Sequence, residues 1–195
     1  MPSSLPSITV RAYTPTDEKS WLRCRALSFL GSHYYNDVTP RRRVLDDPSI
    51  ALVVTLPSGC GEVVVGILDV EIDVEAATID TIATHPDYQG RGVATALLAA
   101  ALPILITRDV TTLDAWTRED VAANAWYERM GFIENYRYMH VYLGDGDDAS
   151  GFTTPEGLST PVIGFMHGRI EDEGELRSRF ARTYVCRQYV RPILD

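Results

Sequence analysis

The sequence has few cysteines, and the three that it has are far apart. Cys24, Cys60 and Cys186 form no CxxC pair, and their odd number leaves at least one thiol without an intrachain partner. This usage argues against a disulfide framework and against a zinc site. We therefore expect reduced thiols, no bound metal and a cytoplasmic location.

Long apolar runs are also missing. No run reaches the roughly 18 residues that a membrane-spanning helix needs. The first seven residues, Met-Pro-Ser-Ser-Leu-Pro-Ser, contain neither a basic region nor an apolar region of the kind found in signal peptides. The sequence predicts no membrane partner.

Positive charge is scarce, with 18 basic residues against 27 acidic ones and a net charge of −9. Lys19 is the only lysine. Such a balance disfavours broad nucleic-acid binding and suits a cationic substrate. A general role of the acidic surface in solubility explains the charge equally well, so we predict only that nucleic acid is not a partner.

The chain alternates short strands with helices. A strand at 8–11 precedes a helix that begins near Asp17, and the stretch 37–45 predicts a second short helix that exposes Arg41, Arg42 and Arg43. The further predicted elements are strands at 50–55, 62–74, 78–84, 110–115 and 132–143, and helices at 92–102 and 117–130. Pro103 is expected to kink or end the first of these helices.

The run from Gly144 to Gly151 is polar and rich in glycine, which predicts a linker at 144–151. The domain before it would span residues 8–143. Residues 152–195 would then be a C-terminal extension that packs on this core, with a strand at 161–168.

One segment, Gln89-Gly-Arg-Gly-Val-Ala94, has the composition of a phosphate-binding loop. It follows a predicted strand and opens a helix, whose first backbone N–H groups have no partner within the helix and carry partial positive charge. Such a helix start binds diphosphates well. Gly90 and Gly92 allow the backbone to approach the phosphates closely.

The same glycines almost fit the GxGxxG pattern of dinucleotide-binding folds, and Asp109 and Asp114 follow at a suitable distance. Thr95 replaces the third glycine, however, and Pro86 interrupts the junction between strand and loop. The preceding strands also look like antiparallel hairpins rather than βαβ units. An NAD-dependent oxidoreductase is therefore the less favoured alternative.

The segment resembles the Q/R-x-x-G-x-G/A signature of the GNAT (GCN5-related N-acetyltransferase) superfamily, with Gln89, Gly92 and Ala94 at the defining positions. A second stretch, Asn124-Ala-Trp-Tyr-Glu-Arg-Met-Gly131-Phe132, is similar to the ending of the family's fourth helix. The resemblance implies an α+β fold, an α/β/α sandwich whose mixed, mainly antiparallel central sheet has about six or seven strands. Two of these strands would splay apart at the cofactor site.

The resemblance also implies roles for individual residues. The backbone of Ile82, Ala83 and Thr84 would pair with the pantetheine arm of acetyl-CoA. The backbone N–H groups of seven consecutive residues would hold the pyrophosphate: Gln89, Gly90, Arg91, Gly92, Val93, Ala94 and Thr95. Asn124 would bond to the pantetheine arm or shape its channel, and Tyr127 would donate a proton to the departing thiolate.

The general base is the open question. The family's usual glutamate position corresponds to Thr78, so Asp80 is the nearest carboxylate of matching strand parity. Glu71, Asp73 and Glu75 are alternatives on the preceding strand, and His85 is expected to be a loop residue.

The resemblance therefore implies an enzyme that transfers an acetyl group to an amine of a small molecule, peptide or protein. A non-catalytic acyl-CoA sensor is the alternative, because the glutamate is missing. The C-terminal arginines, Arg177, Arg179, Arg182, Arg187 and Arg191, could reach an anionic group of CoA. They could instead serve a homodimer contact or a unit that closes the cleft.

Overall fold

The computed structural model of the chain describes residues 8–59 and 61–193. Cys60 lies outside the described residues, and so do the first seven residues. The expectations of a reduced Cys60 thiol and of no signal peptide concern these parts of the chain. The described part forms eight strands and four helices, in the order β1 (Thr9–Ala12), α1 (Glu18–Leu30), β2 (Ile50–Ser58), β3 (Gly61–Asp73), β4 (Ala76–Thr84), α2 (Val93–Ile106), β5 (Thr112–Thr117), α3 (Val121–Arg129), β6 (Ile133–Leu143), β7 (Gly164–Gly168), α4 (Glu173–Arg179) and β8 (Arg182–Pro192).

All eight strands belong to one sheet, in the order β1-β2-β3-β4-β5-β8-β6-β7. Only β4 and β5 run parallel, and every other neighbouring pair is antiparallel. The expectation of an α+β fold with a mixed, mainly antiparallel sheet is confirmed. The sheet has eight strands rather than six or seven, because the chain beyond residue 144 supplies two of them.

The position of β8 differs from what the sequence predicts. This strand lies between β5 and β6, whereas the sequence predicts 132–143 as the last core strand and 152–195 as an extension that packs on the core. Thr183, Val185 and Tyr189 of β8 are buried. Cys186 on the opposite face is buried as well, so β8 is covered on both faces like a central strand, and the neighbouring arginines conceal this pattern in the sequence.

The helices cover both faces of the sheet. Helix α1 packs on one face through Trp21 and Cys24, which contact Val53 and Ile67. Helices α2 and α3 cover the other face and share its main core, and α4 packs against β6 and β8 through Leu176. We call these the α1 face and the α2 face. No helix in the described ranges is long and apolar enough to cross a membrane.

Helix α2 runs past Pro103 to Ile106, so the helix does not end at the proline. Pro103 lacks an N–H, but its own carbonyl accepts from Thr107 at 3.1 Å and continues the helix.

The expected helix at 37–45 is absent from the structure, which is irregular there. Arg42, expected to be exposed, has a side chain that is only 9% exposed on the α1 face, and it forms two hydrogen bonds with Asp69 of β3, at 3.1 and 2.6 Å. Its guanidinium also lies over the rings of Tyr13, at 4.2 Å, and Trp21, at 5.6 Å. This tertiary ion pair holds the segment in place without helical hydrogen bonds.

Candidate active site

Two glycines with left-handed backbone conformations shape the loop between β4 and α2. Gly90 and Gly92 have φ angles of 71° and 80°, in the left-handed region that favours glycine. A Cβ atom at either position would meet no atom within 4 Å, so the space beside both glycines is free. The Gln89 side chain donates to the Thr84 carbonyl at 3.3 Å and ties the loop to the end of β4.

The start of α2 presents unused hydrogen-bond donors to this space. The first helical bond runs from the Ala96 N–H to the Gly92 carbonyl, at 2.9 Å. The N–H groups of Val93, Ala94 and Thr95 therefore precede the first helical bond and have no partner within the helix. Together with the helix dipole, they fit the pyrophosphate of a CoA thioester.

Strands β4 and β5 separate beside this loop. They pair only from Ala76–Thr112 to Ile79–Ala115. Beyond that point β4 continues to Thr84 with β3 on one side, and β5 continues to Thr117 with β8 on its far side. Ile82, Ala83 and Thr84 thus lie on a strand with a free edge, to which an extended chain containing amides can add by backbone hydrogen bonds.

Tyr127 of α3 reaches the point of separation from the α2 face. It is 5% exposed and stacks on Tyr189 with ring centres 5.4 Å apart, and the Tyr189 backbone pairs with Ala115. Burial raises the pKa of the Tyr127 hydroxyl well above its usual value, and the charges of Tyr34 and Asp114 raise it further. Because of this raised pKa, the hydroxyl is protonated at neutral pH. No hydrogen bond from it is found within the described part of the chain, so its proton can be donated to a ligand.

Asn124 lies one helical turn before Tyr127, and its polar groups are used within the protein. Its amide nitrogen donates to the carbonyls of Arg118 and Asp120, at 2.6 and 2.9 Å. Its amide oxygen accepts from the Tyr189 hydroxyl at 3.0 Å. Because both amide protons are engaged, Asn124 fixes the end of β5 against α3, and this arrangement favours shaping the channel over donating to a ligand.

Asp80 lies in a bulge of β4, where Ile79 pairs with Val70 and Thr81 pairs with Asp69. Its carboxylate contacts Arg43 at 3.3 Å and accepts from the Thr81 hydroxyl at 3.0 Å. Its side chain is 31% exposed, so it remains open to water. The bulge begins directly after the last residue that pairs β4 with β5, which brings Asp80 to the point of separation.

A profile of the acetyltransferase (GNAT) family matches residues 11–132, more than half of the chain. This chain belongs to the GNAT family. The family transfers acyl groups from acyl-CoA to acceptors.

Solved structures of GNAT proteins share the fold at low sequence identity. The ribosomal-protein-S18-alanine N-acetyltransferase from Escherichia coli has a TM-score of 0.56 at 19% identity, covering 97% of this chain and 96% of its own. Nourseothricin acetyltransferase has a TM-score of 0.54 at 17% identity, covering 97% and 100%. The Salmonella typhimurium protein yncA, solved with its cofactor acetyl-CoA, has a TM-score of 0.58 at 12% identity, covering 97% and 96%. No curated protein matches the sequence significantly.

Asp114 lies beside the point where β4 and β5 separate, and the sequence pattern did not mark it as a candidate for acyl transfer. It faces Thr78, the usual glutamate position, and accepts from that hydroxyl across the β4–β5 pair. The Gln188 side chain of β8 donates to its other oxygen at 2.6 Å. An acidic residue between Leu113 and Ala115, both fully buried, is the sequence signal that could have found it.

Of the other carboxylates named from the sequence, Glu71 lies beside Thr78 and shares Arg43 with Asp80, whereas Asp73 and Glu75 lie away from the separated strands. Asp73 and Glu75 are at the hairpin between β3 and β4, at the opposite end of β4 from the loop. Glu71 binds Arg43 at 2.6 Å. His85 lies in the loop after β4, as expected, where its ring accepts from the Asp87 N–H at 3.2 Å.

Several arginines of the C-terminal region form bonds within the GNAT fold. Arg177 contacts Glu119 and Glu173, Arg179 contacts Glu175, and Arg187 contacts Glu134. Arg182 donates to the Asn36 side chain at 2.6 Å. Four of the five arginines named from the sequence are thus engaged by other side chains of the protein.

Proposed function

We propose that this protein is an acetyl-CoA-dependent N-acetyltransferase that acetylates the amine of a small molecule or peptide. The observation that carries the proposal is the convergence of three features where β4 and β5 separate. These are the free edge of β4, the unused N–H groups at the start of α2, and the protonated hydroxyl of Tyr127.

The β4 edge from Ile82 to Thr84 holds the pantetheine arm, and the backbone from Gln89 to Thr95 holds the pyrophosphate. Arg91 contributes positive charge beside this loop, and its guanidinium lies over the Tyr88 ring at 5.3 Å. Acetyl-CoA supplies the acetyl group as a thioester, which a neutral amine attacks so that a C–N bond forms and the C–S bond breaks.

Asp80 receives the proton that the amine loses, directly or through water, because its carboxylate is partly open to solvent. Tyr127 gives its proton to the sulfur that leaves. Asp114 holds β4, β5 and β8 together at the reacting point and is a positioning residue.

An assay of thiol release with acetyl-CoA and a panel of amines tests this proposal. We expect thiol release that depends on the amine, with one mole of thiol released for each mole of acetylated product. A second function, a non-catalytic acyl-CoA sensor, is favoured by Thr78 at the glutamate position and by the contact of Asp80 with Arg43. Tight acetyl-CoA binding without turnover across the panel would support the sensor and overturn the enzyme.

A further inference from the structure

Three aromatic side chains lie together on the α1 face, beside the point where β4 and β5 separate. Trp116 of β5 contacts Tyr138 and Tyr136 of β6, with ring centres 5.5 and 6.2 Å apart, and the two tyrosines are stacked at 6.1 Å. Trp116 is 39% exposed and Tyr136 is 56% exposed. We call this trio the aromatic platform. Exposed aromatic clusters of this kind mark binding sites.

The aromatic platform adjoins the proposed reaction centre. Trp116 is the first residue of β5 beyond its pairing with β4. Asp114 precedes it by two residues on the same face, a separation of about 7 Å along a strand. Gln188 of β8 pairs with Trp116 in the sheet and also bonds to Asp114. Carboxylate and rings thus lie side by side on the face from which an acceptor can approach.

The segment that follows α1 packs on other side chains of the α1 face. The His33 ring stacks on Tyr184 at 4.5 Å, and its carbonyl accepts from the Arg118 guanidinium at 2.5 Å. The Tyr34 hydroxyl accepts from the Arg118 N–H at 3.1 Å. The segment therefore covers Tyr184 and Arg118 and leaves Trp116 and Tyr136 of the platform exposed.

The ring faces of the platform carry no cation of the protein. Arg118 lies over Tyr34, Tyr142 and Tyr184, and Arg182 lies over Tyr35, Tyr142 and Tyr184. Within the described ranges, no guanidinium lies over Trp116, Tyr136 or Tyr138. Tyr138 is packed by His140 and His167, at 5.0 and 4.6 Å, so the exposed rings of Trp116 and Tyr136 are the ones that can meet a ligand.

We infer, resting on the proposed N-acetyltransferase function, that the acceptor is an arylalkylamine. This is a primary amine joined by a short alkyl linker to a flat aromatic ring. The amine must reach the thioester as a neutral group, so the rings hold the part of the acceptor that does not react. The linker is short because Trp116 and Asp114 are two residues apart on one face of β5, a separation of about 7 Å between their backbones.

The test compares initial rates with acetyl-CoA for 2-phenylethylamine, tryptamine, n-hexylamine, 2-cyclohexylethylamine and a short peptide with a free N-terminus. We expect kcat/KM for the two arylalkylamines to exceed that for the two aliphatic amines at least about tenfold, the effect of ring stacking on a platform. Trp116→Ala should raise KM for 2-phenylethylamine about tenfold and leave KM for n-hexylamine unchanged. Phe165→Ala is the matched control, because Phe165 is 51% exposed on the same face but lies on β7, away from the separated strands.

The possible failures are distinguishable. Equal kcat/KM for aryl and aliphatic amines, or an equal rise in KM for both in Trp116→Ala, overturns the arylalkylamine inference. Either result is still consistent with the proposed N-acetyltransferase function. Preference for the peptide overturns it in favour of a peptide acceptor. If no amine is acetylated although acetyl-CoA binds, the proposed function fails. Calorimetry of 2-phenylethylamine with the CoA-bound protein then tests the platform alone, and no binding there overturns the inference as well.

Discussion

The Thr78 hydroxyl donates a hydrogen bond to Asp114 across the last pair but one that joins β4 to β5. Gln188 of β8 donates to the other oxygen of the same carboxylate. One side chain thereby connects three strands where the sheet opens. Asp114 is half-buried with both carboxylate oxygens hydrogen-bonded, whereas Asp80 is exposed, which favours a positioning role for Asp114 and proton transfer for Asp80.

Asp80→Asn should lower kcat/KM about 100-fold at pH 7, the usual effect of removing a general base, because the amide cannot accept the proton. The Kd for acetyl-CoA should not change. Measuring kcat/KM from pH 6 to 9 checks this, with Asp73→Asn as the control, since Asp73 lies at the distant hairpin. A variant with wild-type rates over this pH range would remove Asp80 from the mechanism.

Gly92→Glu should abolish acetyl-CoA binding, because a side chain and a negative charge would enter the space beside the unused N–H groups. The left-handed φ of 80° adds a strain of about 1 kcal/mol for any residue with a Cβ. Calorimetry of binding, with thermal unfolding to establish that the variant folds, is the measurement.

The control for this substitution is Gly174→Glu. Gly174 also has free space around its Cβ position but lies in α4, outside the loop. Wild-type affinity in Gly92→Glu, or equal losses in both variants, would contradict the location of the pyrophosphate site.

Tyr127→Phe should lower kcat at least about tenfold and leave the Kd of acetyl-CoA unchanged, because only the proton donor is lost. Stability should stay within about 1 kcal/mol of wild type, since no hydrogen bond of the Tyr127 hydroxyl is found among the described residues. Tyr189→Phe is the contrasting variant, because its hydroxyl bonds to Asn124 and its loss should lower stability. Unchanged turnover in Tyr127→Phe would exclude the acid role.

Arg42→Met should destabilise the fold by about 3–5 kcal/mol, because it leaves the buried Asp69 carboxylate without its partner. Burial already raises the pKa of Asp69 to about 6, and Arg42 opposes that rise. The double variant Arg42→Met with Asp69→Leu should recover much of this loss. Urea unfolding of the single and double variants is the test, and additive losses would argue against a coupled pair.

We expect the buried His140 to lower the free energy of unfolding of the protein as the pH falls below 6.5. Its pKa is lowered to about 4, first by burial and then by the charges of Arg118 and His167, against 6.5 for an ordinary histidine. Between these values the unfolded chain binds more protons than the folded one. The contribution of His140 is therefore complete above pH 6.5 and declines as the pH falls towards 4, by roughly 2–3 kcal/mol at pH 4.5.

His140→Gln keeps an acceptor for the Arg118 guanidinium and should remove this dependence. Urea unfolding at pH 7 and pH 4.5 should show a smaller difference in the variant than in the wild type. Asp69, with its raised pKa, contributes the opposite slope in both proteins, so the comparison isolates His140. Equal differences in the two proteins would show that His140 does not titrate as described.

The sequence by itself determined the family, the class of fold and the loop from Gln89 to Ala94. These features depend on residues close together in the chain, because glycines and a helix start define a phosphate site within one turn. The same local information predicted most strands and the helix that carries Asn124 and Tyr127.

Only the tertiary structure decided the insertion of β8 between β5 and β6, the burial of Arg42 against Asp69, and the meeting of Asp114 with Thr78 and Gln188. It also brought Trp116 to Tyr136 and Tyr138. Each of these contacts joins residues at least 20 positions apart. Strand order and ion pairing depend on which distant surfaces can be buried together, and no local pattern of residues encodes that choice.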